Sequence, residues 1–171
     1  RLDGDLYVKK ATVEFHASAR ADDQIDVAMK CASIGRSSMT YACAIFRGDQ
    51  LLITGELIYV FADPATQTSR PVPDLLRAIL EDYEAGRSVV SLRAGAWSEL
   101  GEMAAQVRTV VFLQEQAIPK KMEWDEADAT ALHAVAINRL GQPLATGRLL
   151  VHAPGVGRIG RMAVSRFMRG T

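Results

Sequence analysis

The most specific chemical signal in the sequence is a basic, glycine-containing turn that follows a strand-like segment in the run 157–171, GRIGRMAVSRFMRGT. Ile159, Met162 and Val164 supply the apolar, β-compatible core of a strand, and the stretch 166–171 has the composition of a turn that precedes a helix. A strand that leads into such a turn is typical of phosphate sites, because unpaired backbone N–H groups and the helix dipole favour an anion there. The run therefore predicts a diphosphate-binding turn.

A second concentration of chemically useful groups is the polar segment 114–130. Its acids are Glu115, Glu123, Asp125, Glu126 and Asp128. Clustered carboxylates can raise one another's pKa and supply a general base, or they can bind a cation or a substrate amine. A solvated surface loop explains the same composition. His16 and His133 lie in strand-like segments. Each could serve as a base, but no carboxylate partner for His16 is evident in the sequence, and we interpret both histidines as structural, so the residues themselves assign no catalytic group.

The composition is ordinary for a soluble globular protein, with 49% hydrophobic and 23% charged residues. No apolar run reaches the roughly 18 to 20 residues that span a bilayer, and no signal segment is recognisable, so we expect a cytoplasmic protein without membrane contact. Zero net charge and 6% aromatic residues argue against a nucleic-acid partner. Cys31 and Cys43 lack metal-ligand spacing, and we expect no metal.

The two halves of the chain differ in charge. Residues 1–86 hold 9 Lys and Arg against 13 Asp and Glu, net −4, whereas residues 87–171 hold 11 against 7, net +4. Residues 81–88 form a short polar connection in which Gly86 terminates the predicted helix. We predict two domains, 1–86 and 87–171; chance variation on solvated surfaces is the alternative explanation of the charge difference.

The first predicted domain has four strand-like segments about ten residues apart: 7–16, 25–34, 37–46 and 51–61. Short turns join most of them, which favours an antiparallel meander. A helix is predicted from Asp74 to Tyr83. A helix of this length covers only part of such a sheet, so the pattern predicts an apolar face that needs a further element or a partner.

The runs VEFHASARADDQIDV, IGRSS and ELIYVFADPATQTSRPVP resemble the C-terminal half of hotdog-fold acyl-CoA thioesterases of the 4-hydroxybenzoyl-CoA type, over residues 6–77. The resemblance implies a sheet crossed by a long helix, and thioester hydrolysis by a carboxylate located before or at that helix. Neither element is recognisable here, so it assigns no catalytic residue. The resemblance implies that Arg36 and Arg70 bind the phosphates of CoA, because a guanidinium can form paired hydrogen bonds with a phosphate. Alternatively, both arginines are solvated turn residues without a ligand.

The second predicted domain begins with a strand at 89–92 and continues with the best helix pattern of the chain, 96–114. Gly101 inside that helix costs up to about 1 kcal/mol relative to alanine, so packing must compensate. The acidic segment follows, then two apolar strands, 131–137 and 143–152, and the strand of the diphosphate-binding turn.

This order, carried by VRTVVFLQEQAIP, EWDEADATALHAVA, ATGRLL and GRIGRMAVSRFMRGT, resembles the front half of a GNAT acetyltransferase over residues 89–171. The resemblance implies transfer of an acetyl group from acetyl-CoA to an amine acceptor. The backbone of the strand that holds Met162, Ala163 and Val164 would then pair with the pantetheine amides, and Arg169, Gly170 and Thr171 would begin the diphosphate turn.

Together these resemblances predict an α+β chain, with an incomplete hotdog antiparallel sheet followed by an incomplete GNAT mixed α/β domain. They imply a bifunctional enzyme that uses acyl-CoA substrates, a thioesterase followed by an N-acetyltransferase, with homo-oligomers formed through the hotdog sheet. A non-catalytic acyl-CoA-binding or oligomerisation module is the alternative.

Overall fold

The structure is a computed structural model that describes residues 2–170. The chain forms two compact units, one ending at Arg87 and the other beginning at Ser88. Unit 1 and unit 2 are each described by themselves below. No helix among the described residues is long and apolar enough to cross a bilayer.

Unit 1 is a four-stranded antiparallel sheet with one helix. Its elements are β1 (Asp5–Phe15), β2 (Asp26–Ile34), β3 (Ser38–Arg47), β4 (Gln50–Ala62) and α1 (Asp74–Glu84). The strand order is β1-β4-β3-β2. The predicted meander was wrong for β1, which pairs with β4 instead of β2. The ten-residue connection 16–25 is long enough to cross the end of the sheet. Alternation of apolar and polar residues determines on which face a side chain lies, but it does not determine which strand is the neighbour.

The strand registers put the apolar side chains of unit 1 on one face, called here the apolar face of sheet 1. It includes Val8, Ala11, Val13, Phe15, Val27, Met29, Tyr41, Cys43, Ile45, Ile53 and Leu57. Helix α1 covers only one end, where Leu76 and Leu80 pack against the buried residues Met39 and Phe61. Beyond α1 the face is open: Phe15 is 76% and Val27 71% exposed. The face therefore lacks the cover that its sequence predicted it would need.

Unit 2 is a second four-stranded sheet with its helices inserted after the first strand. Its strands are β5 (Val90–Gly95), β6 (Leu132–Asn138), β7 (Pro143–Ala153) and β8 (Val156–Val164), in the order β5-β6-β7-β8. Helix α2 (Trp97–Arg108) continues as a π-helical segment, Thr109–Glu115, and the short helix α3 (Lys120–Glu123) follows. Single 3-10 turns occupy Glu126–Ala129 and Arg166–Met168.

The predicted mixed α/β sheet was wrong for unit 2, because every strand pair among the described residues is antiparallel. Gly95 at the end of β5 lies opposite His133 at the start of β6, so the chain leaves and re-enters the sheet at the same end. The order of strands and helices along the sequence is compatible with either direction of pairing, since apolar periodicity is a local property. The observed fold is two antiparallel sheets with few helices.

The core of unit 2 lies between α2 and one face of its sheet. Leu100 and Ala104 of α2 pack against Val135 and Ile137 of β6. One to two turns further along, Val107 and Val111 pack against Ala163 of β8. These residues follow the helical spacing of α2 and the alternation of the strands, which is why the sequence pattern predicts them as core.

Candidate functional site

The two arginines predicted to bind CoA phosphates lie at one corner of unit 1. The closing segment after β4 brings them together: the N–H of Val72 donates to the carbonyl of Arg36 at 2.8 Å, and the N–H of Arg70 donates to the carbonyl of Phe61 at 2.9 Å. The Arg36 residue is exposed. A tight turn thus presents this cation to solvent, where an anion can reach it.

Arg70 is held by protein groups in the same corner. Its Nη1 donates to the carbonyl of Asp3 at 2.7 Å and lies 3.6 Å from Asp63 Oδ2. The N–H groups of Thr66 and Ala65 donate to Asp63 and hold the pKa of that carboxyl below its usual value. Asp63 therefore stays ionised and competes with any phosphate for Arg70. The predicted binding role of both arginines stays a prediction.

The opposite end of sheet 1 carries an apolar cleft of about 440 Å³. Its lining is Phe15, His16, Ala17, Ser18, Ala19, Ile25, Ile45, Leu52 and Ile53. His16 Nε2 lies 2.8 Å from Thr54 Oγ1, and because Thr54 pairs with Glu14 this hydrogen bond lies on the face of sheet 1 opposite Phe15 and Ile53. No sequence motif pointed to this pair, because the two residues are 38 positions apart and meet only through the pairing of β1 with β4.

The predicted pantetheine-binding residues of β8 are divided between the two faces of sheet 2. Ala163 is buried against α2, whereas Met162 is 67% exposed and Val164 is half-buried. Met162 and Val164 line an apolar cleft of about 380 Å³ on the face away from α2, together with Leu92, Leu132 and Ile159. The strand thus presents apolar side chains to this cleft.

The predicted diphosphate turn is occupied by interactions within the protein. Arg169 Nη2 donates to Glu115 Oε2 at 2.6 Å, and its Nε donates to the carbonyl of Val164 at 2.9 Å. Gly170 has φ +77°, a conformation that glycine adopts readily. Thr171 lies outside the described residues. The predicted binding roles of Met162, Ala163, Val164, Arg169, Gly170 and Thr171 stay predictions.

The acidic segment of unit 2 is neutralised by arginines. Arg108 donates to Glu123 through Nε, and to Asp128 through Nη1 at 2.9 Å and Nη2 at 3.1 Å. Arg148 Nη1 donates to Asp125 Oδ1 at 2.6 Å and to Asp128 Oδ1 at 2.8 Å. Glu123 and Asp128 are buried, and carboxylates with such partners are held as structural anions and are not available as a cation site.

A third arginine closes this cluster from β8. Arg161 Nη2 donates to Asp125 Oδ2 at 2.9 Å and to the carbonyl of Met122 at 3.2 Å. Its φ of +51° lies at a strand bulge, where the pairing of β7 with β8 shifts register. The hydrogen bond from Arg148 holds the pKa of the Asp125 carboxyl below its usual value, and attraction from Arg148 and Arg161 adds to the effect. Asp125 is therefore a poor general base.

Aromatic rings complete the surroundings of Arg108. The guanidinium carbon lies 4.4 Å from the centroid of the Trp124 ring and 5.5 Å from that of Trp97. His133 is buried, with Nε2 2.9 Å from the carbonyl of Asp128 and its ring 4.9 Å from Trp97. This geometry is in keeping with the structural interpretation of His133. In residues 2–170 no group of three or more His, Cys, Asp or Glu side chains is arranged to hold a metal ion.

Comparison with known proteins gives one family match. Residues 2–54, which lie within unit 1, match the sequence model of the Thioesterase superfamily. Among solved structures, the chain is similar to a predicted thioesterase from Bacillus stearothermophilus, with 21% identity over 45% of this chain and 58% of that one and a TM-score of 0.44.

Two further solved structures show a similar degree of likeness. A protein from Pseudomonas aeruginosa has 22% identity over 52% of this chain and 61% of that one, with a TM-score of 0.43. A thioesterase complexed with coenzyme A and Zn from Thermus thermophilus has 18% identity over 43% of this chain and 57% of that one, with a TM-score of 0.40. The chain spans about 60% of the length of the structures it matches.

The interpretation of residues 87–171 as a GNAT acetyltransferase, and of the chain as a fusion with one, was wrong. The family match, over residues 2–54, is to the Thioesterase superfamily and carries no acetyltransferase signal. The strand and helix order that suggested it is a local pattern that several antiparallel folds share. The thioesterase part of the sequence interpretation, by contrast, agrees with the family match at residues 2–54.

Proposed function

We propose that this chain hydrolyses acyl-CoA thioesters through unit 1. One observation carries the proposal: the segment that matches the Thioesterase superfamily, residues 2–54, builds three whole strands and the start of the fourth in a sheet whose apolar face is open. Phe15, Val27 and Met29 are more than half exposed on that face. An acyl chain is a ligand of matching chemistry, since each buried CH₂ contributes about 0.8 kcal/mol.

The polar end of the substrate has a candidate partner at the corner opposite the cleft. We assign the CoA phosphates to Arg36, with Arg70 as a second ligand that must first exchange its contacts with Asp3 and Asp63. A guanidinium can hold a phosphate by two parallel hydrogen bonds, which orients the substrate as well as binding it.

The test is release of free thiol from a series of acyl-CoA thioesters of increasing chain length, measured with a thiol-reactive dye. We expect free CoA and carboxylic acid in equal amounts, at a rate proportional to protein concentration. Absence of turnover with every chain length contradicts the proposal. Arg36→Ala is expected to raise KM more than it lowers kcat, because it removes a binding contact distant from the thioester. Arg20→Ala, at another exposed arginine of unit 1, is the matched control.

A second candidate function is acyl-CoA binding without turnover in a homo-oligomer. The open apolar face favours it, because a large exposed apolar patch is typical of an interaction surface. Unit 1 also leaves β1 and β2 as edge strands, which can pair with a second copy. Sedimentation equilibrium with and without a non-hydrolysable acyl-CoA thioether distinguishes the two: binding and self-association without thiol release supports this candidate.

A further inference from the structure

The face of sheet 2 away from α2 carries its small and its large side chains in separate halves. Four residues of β7 lie on this face, first two small and then two large: Ala145, Gly147, Leu149 and Val151. Leu144, Thr146 and Arg148, which alternate with them, are buried. Side-chain size on this face therefore changes only once along the strand.

The neighbouring strand β6 has the same division. Its register adds three residues to the face: Leu132 opposite Leu149, Ala134 opposite Gly147, and Ala136 opposite Ala145. We call Leu132, Leu149 and Val151 the ridge, and Ala134, Ala136, Ala145 and Gly147 the trough. The ridge side chains are 42 to 90% exposed, and the trough residues line the apolar cleft of about 380 Å³. A raised half and a recessed half thus lie side by side on the two central strands.

We propose that this face binds the same face of a second copy of the chain. A two-fold axis that crosses the strands between the ridge and the trough reverses the strand direction of the second copy. Leu149 then lies over Gly147 of the second copy, Val151 lies over Ala145 of the second copy, and each contact occurs twice. Sheets that pack face to face lie about 10 Å apart, so large side chains must meet small ones. The ridge of each copy fills the trough of the other.

The division of the face favours a second copy over a small ligand. A small apolar ligand in the trough would leave the ridge exposed to water, whereas a second copy covers both halves. In the part of the chain that the structure describes, no strand residue on this face presents a charge to it, since the guanidinium of Arg161 at the bulge of β8 is turned to Glu123 and Asp125. A second copy therefore desolvates no unpaired charge.

The size of the face predicts a weak dimer. Four strands span about 19 Å, and the seven residues from Ala145 to Val151 span about 23 Å, at about 4.8 Å between strands and 3.3 Å per residue. The footprint is about 440 Å² per copy, or about 900 Å² in total, which is below the roughly 1,200 Å² of stable complexes. We therefore expect a micromolar or weaker dissociation constant, and a dimer that depends on protein concentration.

Sedimentation equilibrium of the 171-residue protein, from about 1 to about 500 μM, measures this association. Val151→Lys changes a 90% exposed position, so the monomer should keep its stability. In the dimer each new lysine would lie over an alanine without a partner, so Kd should rise at least about tenfold. Val27→Lys, at a 71% exposed position on the apolar face of sheet 1, is the matched control and should leave Kd unchanged.

An exchange of charges tests the register of the two copies. Ala145→Glu should weaken the dimer when it is present alone. An equal mixture of Val151→Lys and Ala145→Glu should associate more tightly than either variant, because each heterodimer gains one Lys–Glu pair and keeps one unaltered contact. The double variant should also recover, with two such pairs. Fluorescence of Trp97 and Trp124, the only tryptophans and both in unit 2, checks that each variant is folded.

Three outcomes overturn the interface or its geometry. A wild-type protein that stays monomeric over the whole concentration range overturns the interface. Loss of association in Val27→Lys, with normal association of Val151→Lys, locates the contact on sheet 1 instead. A mixture of Val151→Lys and Ala145→Glu that associates no better than its components overturns the proposed register. The interface uses unit 2 alone, so its failure leaves thioester hydrolysis by unit 1 untouched, and thiol release measures that function separately.

Discussion

Arg108 and Asp128 form a two-pronged ion pair in the interior of unit 2. Nη1 lies 2.9 Å from Oδ1 and Nη2 lies 3.1 Å from Oδ2, a geometry that suits a planar guanidinium and a carboxylate. Arg108 is 1% exposed, and the ring of Trp124 covers one side of its guanidinium. Because both charges have lost their water, each requires the other to remain stable in the core.

Removal of the cation in this pair should strongly destabilise unit 2. In Arg108→Met the buried Glu123 and Asp128 lose their shared partner, so the free energy of unfolding should fall by about 3 to 5 kcal/mol. Urea unfolding followed by tryptophan fluorescence measures this, because Trp97 and Trp124 are the only tryptophans and both lie in unit 2. Arg158→Met, at an exposed arginine of β8, should change stability by no more than about 0.5 kcal/mol. Equal effects of the two substitutions contradict the prediction.

Replacement of Gly101 by alanine should destabilise α2, against the intrinsic preference of a helix. Alanine gains about 1 kcal/mol in helix propensity. However, a Cβ at this position lies 2.7 Å from two ring atoms of Trp97, and that ring is packed against His133. Overpacking of this kind costs about 1 to 3 kcal/mol, so we expect a net loss in the same urea experiment. Gln106→Ala, at an exposed position of α2, is the control, and a more stable Gly101→Ala protein contradicts the prediction.

Gly101 illustrates what the sequence can and cannot predict. Helical periodicity predicts α2, and the cost of a glycine within it predicts a compensating contact, but not that the contact is Trp97. Likewise, alternation predicts the four strands of unit 1, but the pairing of β1 with β4 joins residues such as Phe15 and Ile53 that are far apart in the sequence. Periodicity reports local conformation, whereas neighbours in a sheet depend on long-range register.

The candidate sites also combine features that the local sequence shows with contacts that depend on long-range strand pairing. The acids of the segment 114–130 are visible in the sequence, but their partner Arg148 lies about 20 residues further on, in β7. Nothing in the local pattern distinguishes a solvated acidic loop from one neutralised in the core. His16 and Thr54 meet for the same reason only after β1 and β4 pair. The direction of pairing in unit 2, which the local pattern does not specify, is what made the predicted mixed sheet wrong.

The stability of unit 2 should depend on the ionisation of Asp125 in acid. The hydrogen bond from Arg148 lowers the pKa of this carboxyl in the folded state. The folded state therefore binds fewer protons than the unfolded state, so Asp125 stabilises the fold above its unfolded pKa, and this contribution is lost as the pH falls through the lower folded pKa. We expect Asp125→Asn to be less stable than wild type at neutral pH, and the difference to shrink below about pH 4.

Urea midpoints from tryptophan fluorescence, recorded from about pH 7 to about pH 3, measure the Asp125 contribution. Glu126→Gln, at an exposed acid in the same segment, should leave the pH dependence close to that of wild type. If the difference in urea midpoint between Asp125→Asn and wild type stays constant across this pH range, the ionisation of Asp125 does not contribute to the stability of unit 2.

The apolar face of sheet 1 should determine how affinity depends on acyl-chain length. Each methylene that contacts the face contributes up to about 0.8 kcal/mol, so the affinity for non-hydrolysable acyl-CoA thioethers should rise by up to about fourfold per CH₂. Val27→Lys puts a charge at a 71% exposed position on this face. It should reduce the gain in affinity per CH₂ while unit 1 stays folded. Val151→Lys, at a 90% exposed valine of unit 2, should preserve the wild-type increment. Calorimetric titrations of the three proteins with the same thioether series measure this, and equal increments in all three show that the acyl chain binds elsewhere.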